Sequence, residues 1–121
     1  MALILIIDDS SFTRKALARM VKAEGHETLE ASDGRQGLEM AASHTPECIL
    51  VDLMMPEMDG LKVLEVLRDQ GSRIPRIVVT ADIQRSVREQ CLGLGAMAVL
   101  NKPPQKDELQ ETLTRAVGSK E

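Results

Sequence analysis

Five polar side chains follow or end apolar runs of this sequence and are its strongest candidates for chemistry. Asp8 and Asp9 directly follow the first apolar run, and Asp52 follows the third. Thr80 ends the fourth run, and Lys102 lies shortly after the fifth. If these runs are neighbouring parallel strands, the five side chains meet at one edge of a sheet.

Three carboxylates that converge on one crevice repel one another. At separations of about 5 Å and an effective dielectric constant of about 20, each pair of unit charges repels by about 3 kcal/mol. A divalent cation relieves this repulsion, and oxygen-only ligands suit Mg²⁺ or Mn²⁺ rather than zinc. We therefore expect Asp8, Asp9 and Asp52 to bind such an ion. The Thr80 hydroxyl and the Lys102 ammonium complete the groups that phosphoryl binding and transfer require.

Each of these residues also has an ordinary structural interpretation. An aspartate at a strand end usually caps a turn or a helix, and a threonine in a strand usually reflects β-propensity. Lys102 precedes two prolines and could be a solvated loop charge. The functional interpretation therefore depends on the joint placement of the five residues rather than on any one of them.

The apolar pattern alternates between strand and helix periods along the chain. Short apolar runs predict five strands, at residues 3–7, 27–31, 48–53, 76–80 and 97–100. Helical periods between and after them predict five helices, beginning at Ser10 or Ser11, after Asp33, after Asp59 and Gly60, near Ile83, and before Leu109. This alternation predicts an α/β fold of five βα units, with a parallel sheet and helices on both faces.

The polarity of the strands predicts their order. The first, third and fourth runs are almost continuously apolar, which is typical of central strands, whereas the second and fifth are more polar and suit the edges. The matching arrangement is the flavodoxin-like strand order 2-1-3-4-5. Its ligand crevice lies at the carboxyl ends of the first and third strands, where the aspartates stand.

The helical periods also predict which side chains face the core. In the first helix, Phe12 shares an apolar stripe with Leu17 and Val21. In the second helix, the pattern places Ala41 and Ala42 inward. We expect all five side chains to be buried against the sheet.

Length and composition limit the functional classes. The length of 121 residues indicates one domain, residues 1–121. The formal net charge is −4. The five βα units extend to about Val117, so we expect no output domain and a monomer. Clustered basic residues are absent, which argues against direct DNA binding. A short apolar N-terminus without a signal pattern predicts a cytoplasmic protein without membrane insertion, with Cys48 and Cys91 as buried thiols.

From end to end, the chain resembles the receiver domain of two-component response regulators. The matching motifs are the acidic pair Asp8–Asp9, the segment VDLMMPEMDG beginning at Val51, the segment VVTA ending at Ala81, and Lys102–Pro103. The resemblance implies that Asp52 is the phosphoacceptor and that the donor is a phosphohistidine of a sensor histidine kinase or phosphotransfer protein.

The same resemblance implies the ligands of the site. Asp8, Asp9, Asp52 and the backbone carbonyl of Met54 would hold Mg²⁺, with Mn²⁺ as an alternative ion. Thr80 and Lys102 would each bind a phosphoryl oxygen. The Lys102–Pro103 bond would be cis, and Pro104 can serve as the first residue of the last helix.

The resemblance further implies a conformational switch. Phosphorylation would draw Thr80 inward and rearrange the surface of helix 4, strand 5 and helix 5, which binds a downstream target protein. An aromatic side chain three residues before the lysine usually follows this movement, but the residue here is Val99. Met54 and Asp82 occupy the positions that tune the lifetime of the acyl phosphate, and a methionine cannot orient a water by hydrogen bonding.

The protein is thus expected to be a stand-alone regulator of the chemotaxis or phosphorelay kind. It would catalyse only its own phosphorylation and dephosphorylation. Two alternatives stay open. One is a phosphorylation-independent scaffold, which stays open because Val99 stands in place of the usual aromatic side chain. The other is an aspartyl-nucleophile phosphatase of the haloacid dehalogenase-like type, but those enzymes place a second aspartate where Met54 stands.

Overall fold

The sheet positions every candidate residue of the site. The computed structural model describes residues 2–81 and 83–118. Its five parallel strands are β1 Leu3–Ile7, β2 Glu27–Ala31, β3 Cys48–Val51, β4 Arg76–Thr80 and β5 Ala98–Asn101. They lie in the order β2-β1-β3-β4-β5, which confirms the predicted order and both predicted edge strands.

Five helices cover both faces of the sheet, as predicted. They are α1 Ser11–Ala23, α2 Gly34–His44, α3 Gly60–Asp69, α4 Arg85–Gly93 and α5 Lys106–Gly118. Buried residues of α1 and α5 pack in one core cluster, and those of α2, α3 and α4 pack in the other. Successive residues of β1 alternate between the two clusters, because neighbouring strand side chains point to opposite faces.

Three helices begin at the carboxyl edge of the sheet with side-chain caps. The carboxylates of Asp33 and Asp59 accept hydrogen bonds from backbone N–H groups in the first turns of α2 and α3. The Ser10 hydroxyl does the same for α1. Such caps satisfy N–H groups that have no partner within the helix, so these helix starts are fixed at the carboxyl edge of the sheet.

Two predicted core positions are wrong. Phe12 is 79% exposed, because it lies in the first turn of α1, beside the strand ends rather than over the sheet. Ala42 is exposed while Ala41 is buried. Consecutive residues of a helix point about 100° apart, and the face of α2 that meets the sheet is centred on Gly34, Gly37 and Ala41 rather than on Ala42.

Several predicted boundaries shift by one or two residues. Strand β3 ends at Val51 rather than at residue 53, because the Leu53 carbonyl accepts turn hydrogen bonds from Met55 and Gly60. Strand β5 extends to Asn101, which pairs with Thr80 of β4. The predicted start of α4 near Ile83 is also early, since this helix begins at Arg85, whereas α5 begins at Lys106, before Leu109 as predicted.

Pro104 is therefore not the first residue of α5. The first bond of that helix is donated by the Leu109 N–H to the Gln105 carbonyl, which makes Gln105 the residue that precedes the helix. Pro104 is buried just before this point. The proline therefore ends the preceding loop instead of opening the helix.

Both cysteines are free and buried, as predicted. Cys48 lies in the cluster beneath α1 and α5, and Cys91 lies in the other cluster. Burial raises the pKa of the Cys48 thiol to about 12, so it stays protonated at neutral pH. None of the helices in residues 2–81 and 83–118 is long and apolar enough to cross a membrane.

Gly60 offers a test of how tightly the loop after β3 packs. A Cβ atom there would contact the Asp52 carbonyl oxygen and lie 2.8 Å from the Leu53 Cα. Backbone cannot retreat as a flexible side chain can, so Gly60→Ala should lower the free energy of unfolding by about 2 kcal/mol. Urea denaturation would measure this. Gly93→Ala is the matched control, because nothing lies within 4 Å of its Cβ; equal stability of the two variants would contradict the packing.

Candidate functional site

Three aspartates meet at the carboxyl ends of the neighbouring strands β1 and β3. Ile7 pairs with Val51 in the sheet, so Asp8 and Asp52 follow at the same level. Oxygen atoms of Asp8, Asp9 and Asp52 all lie within 4.8 Å of one another. Asp8 and Asp52 are 1% and 3% exposed, whereas Asp9 is on the surface. The cluster is therefore a crevice with one side open to solvent.

Backbone hydrogen bonds hold the two buried acids in place. The Asp8 N–H donates to the Ala31 carbonyl at 3.1 Å, and its Oδ1 accepts from the Ser10 N–H at 2.9 Å. The Asp52 N–H donates to the Ile7 carbonyl at 3.0 Å, and its Oδ1 accepts from the Met54 N–H at 3.4 Å. These bonds leave the Oδ2 atom of each carboxylate directed at other partners.

Lys102 brings a positive charge between the two buried acids. Its Nζ lies 2.9 Å from Asp52 Oδ2 and 3.0 Å from Asp8 Oδ2. The lysine follows β5, and its bond to Pro103 is a cis peptide. Residues from three different strand ends thus converge on one point, although they are far apart in the sequence.

Burial and like charge act against the Asp52 carboxylate. Burial raises the pKa of Asp52, the Lys102 hydrogen bond and charge oppose this, and the Asp8 carboxylate adds to the rise, so the pKa is raised overall. Burial alone would lower the pKa of Lys102, but the two carboxylates outweigh it and raise that pKa. Lys102 contacts two of the three acids, so acidic groups outnumber the ammonium in this crevice.

The donor set suits a hard divalent cation. All three candidate side-chain ligands are carboxylates, which Mg²⁺ prefers. Asp8 Oδ2 is buried and accepts no hydrogen bond of good geometry from the described residues, although the Lys102 ammonium lies nearby. A buried carboxylate oxygen gains from a nearby cation, so the residues fit the ion that the sequence predicts.

Three of the remaining predicted residues lie in β4, in β5 and in the loop after β3. Thr80 is fully buried at the end of β4, the strand next to β3. Val99 is buried in β5, and its carbonyl accepts a hydrogen bond of 3.4 Å from Arg88 of α4. Met54 is 65% exposed. Asp82 lies outside the described residues.

Sequence reasoning missed two features beside the acids. The guanidinium of Arg14 donates to the Asp8 carbonyl at 2.7 Å. Exposed Phe12 lines a hollow of about 380 Å³ next to Lys102 and Pro103. No spacing pattern in the sequence predicts either feature, because both depend on how the start of α1 approaches the strand ends.

The raised pKa of Asp52 predicts how pH acts on the metal-free protein. A folded pKa above the unfolded value of 3.8 means that the native state holds this proton more tightly. The stability that Asp52 contributes is therefore complete below pH 3.8 and is lost as the pH rises through the folded pKa. Asp52→Asn lacks this titrating group and has no such loss. The free energy of unfolding of the variant should therefore rise relative to that of the wild type between about pH 3.5 and pH 7.

Denaturant unfolding in a chelator at several pH values would check this expectation. Asp69→Asn removes an exposed carboxylate of α3 and serves as the control, which should follow the wild type. A constant difference between Asp52→Asn and the wild type across the range would contradict the expected titration.

Comparison with known proteins places this geometry in a family. The model of the response regulator receiver domain matches residues 4–114. Response regulator MprA of Mycolicibacterium vanbaalenii is 39% identical over 88% of this chain and 46% of its own length. Regulatory protein AtoC of Escherichia coli is 37% identical over 94% of this chain and 25% of its own length. The chain thus spans less than half the length of these curated relatives.

Solved structures agree over nearly the whole chain. The receiver domain of the Francisella response regulator 1452 is 26% identical, with a TM-score of 0.93 and full coverage of both chains. Chemotaxis protein CheY4 of Vibrio cholerae is 29% identical, with a TM-score of 0.88 over 96% of this chain and 98% of that one. On the sequence match and on the shared flavodoxin-like fold, this chain belongs to the receiver domains of response regulators.

Proposed function

We propose that this chain is the phosphoacceptor of a two-component system and that Asp52 takes a phosphoryl group from a phosphohistidine. The donor would be a sensor histidine kinase or a phosphotransfer protein. The observation that carries the proposal is the buried Asp52 carboxylate, 2.9 Å from the Lys102 ammonium and clustered with Asp8 and Asp9. Membership in the receiver family supports the same role.

We further propose that the acidic cluster holds Mg²⁺, or Mn²⁺ in its place. Asp8, Asp9, Asp52 and the backbone carbonyl of Met54 would be its protein ligands. When bound, the ion would neutralise charge on the transferred group, which a carboxylate nucleophile cannot do for itself. The oxygen-only donor set and the burial of Asp8 and Asp52 support this ion.

The chain's own residues would perform the transfer. A carboxylate oxygen of Asp52 attacks phosphorus in line, the new P–O bond forms, and the P–N bond to the donor histidine breaks with its electron pair moving to the ring nitrogen. Lys102 already contacts Asp52 and would bind a phosphoryl oxygen. The Thr80 hydroxyl would bind another. Positioning and charge neutralisation therefore supply the catalysis.

The product is a mixed anhydride, and its lifetime would depend on access for water. Met54 follows the acceptor by two residues with a thioether that cannot orient an attacking water. Asp82 follows Thr80 by two residues and would act on the same water. We propose these two residues as the tuning positions of a protein that catalyses only its own phosphorylation and dephosphorylation.

The signal would leave through α4, β5 and α5. Thr80 moves toward the phosphoryl group, and β5 follows because Thr80 pairs with Asn101. The hydrogen bond from Arg88 to the Val99 carbonyl connects β5 to α4. Val99 stands where the family usually has an aromatic side chain. The main-chain pairing of β4 with β5 would therefore transmit the conformational change. We propose that this surface binds a separate target protein. We further propose that the chain is a monomeric, cytoplasmic regulator of the chemotaxis or phosphorelay kind that does not bind DNA directly.

The test of this function is intact-protein mass spectrometry. The chain is incubated with acetyl phosphate and Mg²⁺, and in parallel with acetyl phosphate and a chelator. We expect one phosphoryl adduct with the metal and little without it, with the modified peptide containing Asp52. An adduct that forms equally well in the chelator would overturn the metal-dependent mechanism.

A further inference from the structure

Arg14 of α1 makes two contacts next to the acidic cluster. Its Nη1 donates to the Asp8 backbone carbonyl at 2.7 Å, and its Nε donates to Glu30 Oε1 at 3.1 Å. The Arg14 and Glu30 side chains are only 14% and 21% exposed. A short, charge-assisted hydrogen bond shielded from water is stronger than an ordinary surface one. The guanidinium is therefore fixed against both strand β1 and strand β2.

The carbonyl that Arg14 holds belongs to the peptide between Asp8 and Asp9. Since a peptide group is planar, the direction of its C=O determines where the chain continues to Asp9. Asp8 is also held by its hydrogen bonds with the Ala31 carbonyl and the Ser10 N–H. The exposed Asp9 carboxylate makes no hydrogen bond or ion pair with the rest of the described chain. Its place in the cluster is therefore set by the main chain.

We propose that Arg14 is a positioning residue for metal binding. By holding the Asp8–Asp9 peptide, Arg14 keeps the Asp9 carboxylate at the separation from Asp8 and Asp52 that one cation can bridge. This inference rests on the metal site of the proposed function. It adds to that site a residue that contacts neither the ion nor the phosphoryl group.

Glu30 fixes the direction of the Arg14 guanidinium. Burial would raise the pKa of Glu30, but the hydrogen bonds and charges of Lys15 and Arg14 lower it overall. Glu30 is therefore ionised at neutral pH and pairs with Arg14. Because Glu30 offsets part of the guanidinium charge, although Lys15 shares the same carboxylate, Arg14 repels a nearby cation less than an unpaired arginine would.

A charge effect and a positioning role predict opposite changes in Mg²⁺ affinity when Arg14 is removed. Loss of a positive charge near three acids strengthens their attraction for a cation. Loss of a positioning contact weakens cation binding, because the ligands spread apart. The sign of the change in Mg²⁺ affinity therefore distinguishes a positioning role from a charge effect.

The experiment is calorimetric titration of Mg²⁺ into the wild type, Arg14→Gln and Lys15→Gln. Lys15 is the matched control, because its ammonium also lies 3.1 Å from Glu30, whereas its side chain is 61% exposed and has no contact with Asp8. We expect Arg14→Gln to bind Mg²⁺ about tenfold more weakly. Lys15→Gln should bind as tightly as the wild type or more tightly.

A second readout needs no metal. The backbone amide resonance of Asp9 in the metal-free protein should shift in Arg14→Gln and stay in place in Lys15→Gln. A general loss of stability would move resonances throughout the chain rather than at Asp9. Wild-type Mg²⁺ affinity in a folded Arg14→Gln variant, or a tighter one, would overturn the proposal.

If Arg14→Gln does not fold, Arg14→Lys carries the test. A single ammonium keeps the charge but cannot reproduce the fork that contacts two acceptors, so its Mg²⁺ affinity should fall several-fold. Unchanged affinity would overturn the role of Arg14 while leaving the metal site intact. A wild type that binds no Mg²⁺ would instead overturn the metal site of the proposed function, and the role of Arg14 with it.

Discussion

Asp52→Asn is expected to abolish phosphorylation of this chain. The carboxamide has nearly the same shape as the carboxylate and can still accept the hydrogen bond from the Met54 N–H. It lacks the anionic oxygen that we propose to attack phosphorus, and a neutral amide is a far weaker nucleophile. Incubation with acetyl phosphate and Mg²⁺ should therefore give no phosphoryl adduct in the mass spectrum, although the variant folds.

The control for this variant is Asp69→Asn, which removes an exposed carboxylate from α3. Its adduct should match that of the wild type. A persisting adduct in Asp52→Asn would show that another residue accepts the group, and Asp9 would be the first to map because it shares the cluster. A wild type that binds Mg²⁺ but gives no adduct, even with a phosphorylated kinase, would favour the scaffold alternative.

The strand order could be predicted because burial differs sharply between strands. Four of the five residues of β1 and all residues of β3 and β4 are buried, whereas only Ala31 of β2 is buried. An apolar run of this kind is stable only between two layers of helices. The site at the strand ends follows from that order, since parallel strands end at the same edge.

Side-chain contacts across elements could not be predicted in the same way. The apolar spacing of Phe12 indicates a buried face, yet its position in the first turn leaves it beyond the sheet. The Arg14 contact depends on the angle at which α1 leaves Ser10. The sequence pattern identifies the helix, whereas the approach of its first turn to Asp8 depends on packing of the whole domain.

Removing the Lys102 ammonium should slow phosphorylation by about 100-fold or more. Lys102→Met keeps the apolar stem of the side chain and deletes the charge that lies 2.9 Å from Asp52. In the transition state, negative charge spreads over the phosphoryl oxygens, and the ammonium is the protein's own positive group at that point. Rates with acetyl phosphate and saturating Mg²⁺, followed by mass spectrometry, would measure the loss.

The same variant should bind Mg²⁺ more tightly, so the two effects have opposite signs. Lys102 Nζ lies 3.0 Å from Asp8 Oδ2 and 2.9 Å from Asp52 Oδ2, the oxygens that a cation would share. Without the ammonium these buried carboxylates repel each other and gain more from a metal ion. Lys106→Met, which changes an exposed lysine of α5, should alter neither quantity. Slower transfer together with weaker Mg²⁺ binding would show that Lys102 holds the acids in place rather than stabilising the transferred group.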